Sequence, residues 1–175
     1  MMHSKYAALI FAAWSMALLA WCGSSTTVTT ASIDGLSFSI PSTLQSIPLS
    51  AIKQSQNNIV AARKETSWSL VLSESTMPAG MDIATFSQQW EQHLKGQLMW
   101  YTAGSLTKQS FTCSGQNVTS YLHSFAHTAT QDANKIDSYY NQLYFIHNGS
   151  IYILSLAQTT KKSIFNDIMT SLHCN

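Results

Sequence analysis

Charge is what this chain of 175 residues has least of: Asp, Glu, Lys and Arg make up only 10% of it, against about a quarter in an ordinary soluble protein. Nine basic side chains stand against eight acidic ones, for a formal net charge of +1. So balanced a chain has no long-range field with which to gather polyanions, which excludes a nucleic-acid binder working through a basic face. Eight acidic residues also leave few candidates for paired catalytic carboxylates, and none stand at helical partner spacing. The patterns G-x-S-x-G, G-x-x-x-x-G-K, G-x-G-x-x-G and H-E-x-x-H are absent, so any active site would have to be one particular to the fold. No internal repeat is found at periods of about 20 to 50 residues. What is present is apolar material, 45% hydrophobic and 11% aromatic, enough to build the core of one domain and incompatible with wholesale disorder. Polarity comes mainly from Ser, Thr, Gln and Asn, a habit of chains that work outside the cytoplasm.

The sparse charge is unevenly spread, with no acidic or basic residue between Lys5 and Asp34. Lys5 precedes an apolar run from Ala7 to Trp21, the n-region and h-region of a secretory signal. At about 15 residues the run is short of the roughly 20 that cross a hydrocarbon core as a helix, and a cleaved signal is expected. Around Cys22 the sequence resembles the lipobox of bacterial lipoproteins, whose cysteine is acylated and becomes the mature N-terminus. Leu19, Ala20 and Cys22 fit that pattern; Trp21 stands where Gly, Ala or Ser is usual. Acylation of Cys22 is the reading adopted, with ordinary cleavage among Cys22 to Ser25 as the alternative. Without its signal the chain has eight basic and eight acidic groups, so residues 1–22 read as signal, 23–32 as a Ser/Thr-rich tether and 33–175 as one folded domain.

Cys113 and Cys174 remain once Cys22 is acylated or removed, and two cysteines in an oxidising compartment are expected to pair. Closing a loop of about 60 residues would stabilise the fold by roughly 4 kcal/mol. Two unrelated buried thiols are the alternative.

Along the domain, Leu36 to Ile40 alternates apolar and polar before Pro41, and Ile59 to Ala62 and Trp68 to Leu72 read as strands. Ser42 to Gln56 is ambiguous, with room for one helical turn. The strongest helical signal runs from Ile83 to about Tyr101, with Asp82 as N-cap. Its apolar stripe is Ile83, Phe86, Trp90, Leu94, Leu98 and Tyr101, and Glu91 and Lys95 stand at i,i+4. Period two then returns in Leu106 to Thr112 and Val118 to Ala129, around Ser114-Gly115-Gln116, and in Tyr139 to His147 and Ser150 to Leu156, around Asn148-Gly149. Asn-Gly suits a two-residue hairpin turn because both residues accept positive φ. The last two strands are apolar on both faces, so they belong in the middle of a sheet covered on both sides. Ile164, Phe165, Ile168, Met169 and Leu172 mark a closing amphipathic helix.

Strands grouped by hairpins, with helices set apart from them, indicate an α+β domain: an antiparallel sheet of about six to seven strands with helices on both faces. The strand Leu36 to Pro41, the helix bearing Phe86 and Trp90, the Tyr144 to Leu154 hairpin and the terminal Phe165 to Met169 together resemble the PsbP-like α/β/α sandwich of small secreted and lipid-anchored bacterial proteins. The resemblance spans Ile33 to Asn175. It implies a binding or assembly role rather than catalysis, and it transfers no site residue.

His123 and His127 are the suggestive histidine pair. On a helix their i,i+4 spacing would bring both to one metal; on a strand, which the alternation favours, they share a face about 13 Å apart at roughly 3.3 Å per residue, too far for one ion. They read as surface or half-buried histidines, and His93 and His147 as solvated, so no metal or cofactor is expected. Trp68, Trp90, Trp100, Tyr101, Tyr139, Tyr140 and Tyr152 read mainly as core, with Tyr139 and Tyr140 the best exposed. The sequons at Asn117 and Asn148 matter only in a eukaryotic secretory pathway, which the lipobox-like feature argues against. The expected protein is a non-enzymatic binding or assembly module of the bacterial cell envelope, in the periplasm or anchored at the outer membrane. Its expected partners are the membrane, through Cys22, and an unidentified protein or envelope component, with no nucleic acid. The alternatives are a secreted hydrolase with an unrecognised site and a purely structural envelope lipoprotein.

Overall fold

The computed structural model describes residues 29–33, 35–40, 44–47, 58–64, 68–98, 100–131, 134–161 and 163–174. The signal segment, Cys22 and the front of the tether lie outside these residues. The elements are β1 (Thr29–Ile33), β2 (Leu36–Ile40), β3 (Gln45–Ile47), β4 (Asn58–Lys64), β5 (Trp68–Thr76), α1 (Ile83–Gln97), β6 (Tyr101–Cys113), β7 (Gln116–Gln131), β8 (Asn134–His147), β9 (Ser150–Gln158), α2 (Phe165–Thr170) and β10 (His173–Cys174). Five antiparallel strands, in the order β5-β9-β8-β7-β6, make the body of the main sheet, and β4 and β3 continue it past β5. A second, small sheet has the order β1-β2-β10.

Period-two burial explains the layering. Tyr144 and Phe145 are consecutive on β8, point to opposite faces, and are both fully buried. Phe145, Leu143, Tyr152, Leu154 and Leu156 meet Leu36, Phe38 and Ile40 of β2, Phe165 and Ile168 of the closing helix, and Leu172 just beyond it. Tyr144, Ile151 and Ile153 meet Ile83, Phe86 and Trp90 of α1. Each fully buried Leu, Ile or Phe stabilises by roughly 1.5–3 kcal/mol, so the two-faced β8–β9 hairpin anchors both layers. Its Asn148-Gly149 turn has φ of 49° and 81°, as its sequence requires. The second face is covered by the small sheet together with α2, and Ser171 joins them, its hydroxyl accepting the Ser39 N–H at 2.9 Å.

Three boundaries differ from the sequence reading. β1 takes Thr29 to Ser32 out of the tether and pairs them with β2, Thr30 opposite Ser39 and Ser32 opposite Ser37, so the domain starts by Thr29 rather than at Ile33; β-branched threonine suits such a strand. Gln45–Ile47, in the segment given room for a helical turn, is a strand paired with β4. Helix α1 begins as expected, Asp82 accepting the Thr85 N–H at 2.7 Å, and its Glu91 and Lys95 pair at 3.1 Å. It ends at Gln97, with Leu98 as C-cap, and Trp100, at φ 49°, turns the chain back. Tyr101, counted in the helical stripe by spacing, instead opens β6 opposite His127; strand pairing overrides the local helical spacing.

Candidate functional site

Polar chemistry inside the domain concentrates where β6, β7 and β8 pass beneath α1. His123 lies in the middle of β7 and is 1% exposed, not the surface or half-buried group its sequence suggests. Its Nε2 lies 2.9 Å from the Tyr101 hydroxyl and its Nδ1 3.4 Å from the Tyr144 hydroxyl. Tyr144 donates its one proton to Gln142 Oε1, and Gln142 Nε2 donates to Ser155 Oγ at 3.2 Å. These partners fix the tautomer. Because the Tyr144 proton is committed, His123 must donate from Nδ1, and its bare Nε2 then accepts from Tyr101. The result is one head-to-tail chain, Tyr101 to His123 to Tyr144 to Gln142 to Ser155.

A bulge builds this chain. Along β6 the register shifts between Ala103 and Ser105, Ala103 lying opposite Phe125 and Ser105 opposite Ser124. Directly opposed residues share a face, so the odd-numbered Tyr101 and the even-numbered Leu106 both reach the α1 side, opposite His127 and His123. Gly104 sits at the bulge, where a Cβ would lie 2.0 Å from the Ser124 carbonyl oxygen. Glycine inside a strand pattern was the available sequence signal for this site, and period-two reading without it splits Tyr101 from Leu106.

Burial sets the protonation states. It pushes the His123 imidazole below its ordinary range, outweighing the opposite pull of the Glu91 carboxylate. Burial, aided by Glu91, raises the Tyr101 phenol to about 12 and also drives the Tyr144 phenol upward. At neutral pH the chain is therefore uncharged from end to end. Both His123 nitrogens are taken by phenols, and the nearby acid, Glu91, is paired with Lys95. The arrangement can order a sheet face; it offers no free base aligned on a nucleophile.

An aromatic row continues from it. Phe125 stacks on Tyr140 with ring centroids 4.8 Å apart and planes within 2°, and it also meets Tyr101 at 5.3 Å and His123 at 4.8 Å. His127 lies beyond Phe125 on the same face, beside the Tyr140 hydroxyl at 3.4 Å. His123 and His127 thus serve different phenols with Phe125 between them, and the fold does not bring them to one point. Tyr139 and Tyr140 are half-buried rather than the best exposed aromatics; among the described residues the large exposed aromatic is Trp100, at 55%. Tyr152 is core, and the Trp68 side chain lies outside the described residues.

At one end of the sheet Cys113 and Cys174 are joined by a disulfide, their Cα atoms 4.7 Å apart. His147, expected to be solvated, is half-buried beside it, its Nδ1 3.7 Å from Cys113 Sγ and its ring edge-on to Tyr152. Ser114 donates to the Cys174 carbonyl at 3.0 Å. Among the described residues no helix is long and apolar enough to cross a membrane.

This arrangement of sheet and helices matches a known architecture. The solution structure of cyanobacterial PsbP (CyanoP) from Synechocystis aligns with a TM-score of 0.60 over 90% of this chain and 99% of that one, at 15% identity. The chain has a PsbP-like fold. The Ran-binding protein Mog1p of Saccharomyces cerevisiae aligns with a TM-score of 0.48 over 84% of this chain and 85% of its own, at 10% identity. No family model matches the chain, and no curated protein matches it in sequence. The PsbP-like likeness is one of backbone and carries no residue of the His123 chain or of the His147–disulfide cluster.

Proposed function

We propose that this PsbP-like domain is a non-catalytic binding or assembly module working outside the cytoplasm, held to a bacterial envelope membrane through acylated Cys22. The observation that carries the non-catalytic part is the closure of the His123 chain. The most strongly buried imidazole among the described residues has each nitrogen occupied by a phenol, and burial holds it neutral, so it neither presents a base nor faces a nucleophile. The extracytoplasmic part is supported by the Cys113–Cys174 disulfide, which belongs in an oxidising compartment. With eight basic against eight acidic groups after the signal, shape and uncharged hydrogen bonding choose the partner, an envelope protein or other envelope component.

Three measurements test the reading. Mass spectrometry of the mature protein is expected to find an acylated N-terminal cysteine at Cys22; a chain beginning beyond it refutes the anchor. In-cell cross-linking of the tagged full-length protein is expected to enrich one envelope partner, and to lose it in a variant that keeps the fold but truncates the exposed Trp100. A hydrolytic activity abolished by His123→Phe would overturn the non-catalytic reading.

A further inference from the structure

The disulfide and its histidine make a second chemical centre, separate from the His123 chain and independent of the proposed binding role. Cys113 Sγ, Cys174 Sγ and a ring nitrogen of His147 all lie within 4.8 Å of one another, and His147 Nδ1 is already 3.7 Å from Cys113 Sγ. In a tetrahedral zinc site with metal–sulfur bonds of about 2.3 Å and metal–nitrogen bonds of about 2.0 Å, neighbouring donors stand about 3.5–3.8 Å apart. The His147–Cys113 separation fits that edge, and a rotation of the cysteine side chains once the bond is open supplies the rest. The three residues come from three chain segments, the end of β6, the end of β8 and β10, so only the folded domain assembles them. Both cysteines are buried, at 6% and 8% exposure, and a buried pair of thiolates is retained only with a cation beside it.

We propose that Cys113, Cys174 and His147 form a thiol-gated metal site. The disulfide is the closed state. A dithiol reductant opens it by exchange: two electrons pass to the protein, the S–S bond breaks, two protein thiols form, and the reductant leaves as its own disulfide. A zinc ion then takes both sulfurs as thiolates, releasing their two protons to solvent, and the Nδ1 lone pair of His147, with water in the fourth position. Coordination through Nδ1 moves the imidazole proton to Nε2. Asn148, whose side-chain amide now donates to His147 Nε2 at 3.1 Å, is exposed and needs only to turn its oxygen toward that nitrogen to hold the ring in place.

The test is metal titration of the purified protein, reduced by a phosphine under anaerobic conditions, with cobalt(II) as the spectroscopic probe and zinc as competitor. The reduced protein is expected to bind one ion, with thiolate-to-cobalt charge-transfer bands and the visible bands of tetrahedral cobalt, both removed by zinc. The oxidised protein is expected to show neither. His147→Gln is expected to weaken binding by about tenfold or more and to leave the oxidised fold unchanged by circular dichroism. Should the reduced chain unfold, zinc is expected to restore its circular dichroism spectrum in the parent protein but not in Cys113→Ser. Absence of thiolate charge transfer, equal affinity in His147→Gln, or a reduced chain that zinc does not refold would each overturn the proposal.

Discussion

Gly104→Ala offers the sharpest test of how the fold builds its interior. A Cβ at Gly104 would lie 2.0 Å from the Ser124 carbonyl oxygen and 2.7 Å from its carbon, where real Cβ atoms essentially never come closer than 3.0 Å. Both obstacles are backbone, so β6, the end strand of the main sheet on which Gly104 is exposed, must move from β7 by at least about 1 Å. A ladder bond near 2.9 Å stretched that far passes the limit of a hydrogen bond. Losing one such bond costs about 1 kcal/mol net, and the strained backbone adds about 1–3 kcal/mol, so about 2–4 kcal/mol in all. At about 3 °C per kcal/mol for a domain of this size, calorimetry should record a fall in Tm of about 6–12 °C, with a matching shift of the urea midpoint at unchanged slope. Gly96→Ala is the control. It lies in α1 with nothing within 4 Å of an added Cβ, and alanine there should stabilise by about 0.5–1 kcal/mol. A Gly104→Ala protein within 0.5 kcal/mol of its parent, about the effect of an ordinary surface substitution, would refute the bulge argument.

The His123 chain makes an asymmetric pair of mutants. Tyr144→Phe leaves His123 Nδ1–H and Gln142 Oε1 buried without their partner and should cost about 2–4 kcal/mol, whereas His123→Phe leaves Tyr144 still donating to Gln142 and should cost less than half as much; equal losses in urea unfolding would contradict the assigned directions. The lowered His123 and His127 values fix the sign of the acid response, because below the unfolded pKa of about 6.5 the unfolded chain takes up protons that the folded one refuses. Stability should therefore be complete above that value and fall as pH drops toward the folded pKa, by at most about 1.4 kcal/mol per pH unit for His123, and His123→Phe should flatten the profile; a profile unchanged by the mutation would refute the neutral assignment. Reducing Cys113–Cys174, which closes a separation of 61 residues, should destabilise by about 4 kcal/mol on the chain-entropy account, measured in metal-free buffer with a chelator; an unchanged urea midpoint would refute it.

How far the sequence was legible depends on whether the signal was local. Asn148-Gly149, the apolar-on-both-faces hairpin and the Asp82 cap each act within a few residues, and each stands in the structure where its residues put it. The end of α1 was not legible, because Leu98 and Tyr101 continue the helical spacing and only the pairing of Tyr101 with His127 draws that residue into a strand. The cover over the second face was half legible. Phe165 and Ile168 announce a helix, but that β10 pairs with β2 there depends on contact between distant parts of the chain.

The polar sites were illegible for one shared reason, and it concerns register. His123 reads as a mildly polar strand residue until β6 and β8 are placed beside it; then a phenol from each side closes on its two nitrogens. His147 reads as a turn-flanking, solvated group until the Ser114-Gly115 and Asn148-Gly149 turns fall at the same end of the sheet and set its ring against Cys113. In both cases side chains about 20 to 60 residues apart acquire chemistry that neither neighbour in sequence reveals, and in the first a single glycine decides the outcome. Without the bulge at Gly104, Tyr101 would point to the face opposite His123, and burial at that histidine would leave Nε2 without its donor. Around His123, a chain so poor in charge holds its interior polar groups by pairing them with one another, and the precision of that pairing is set by strand register rather than by electrostatic attraction.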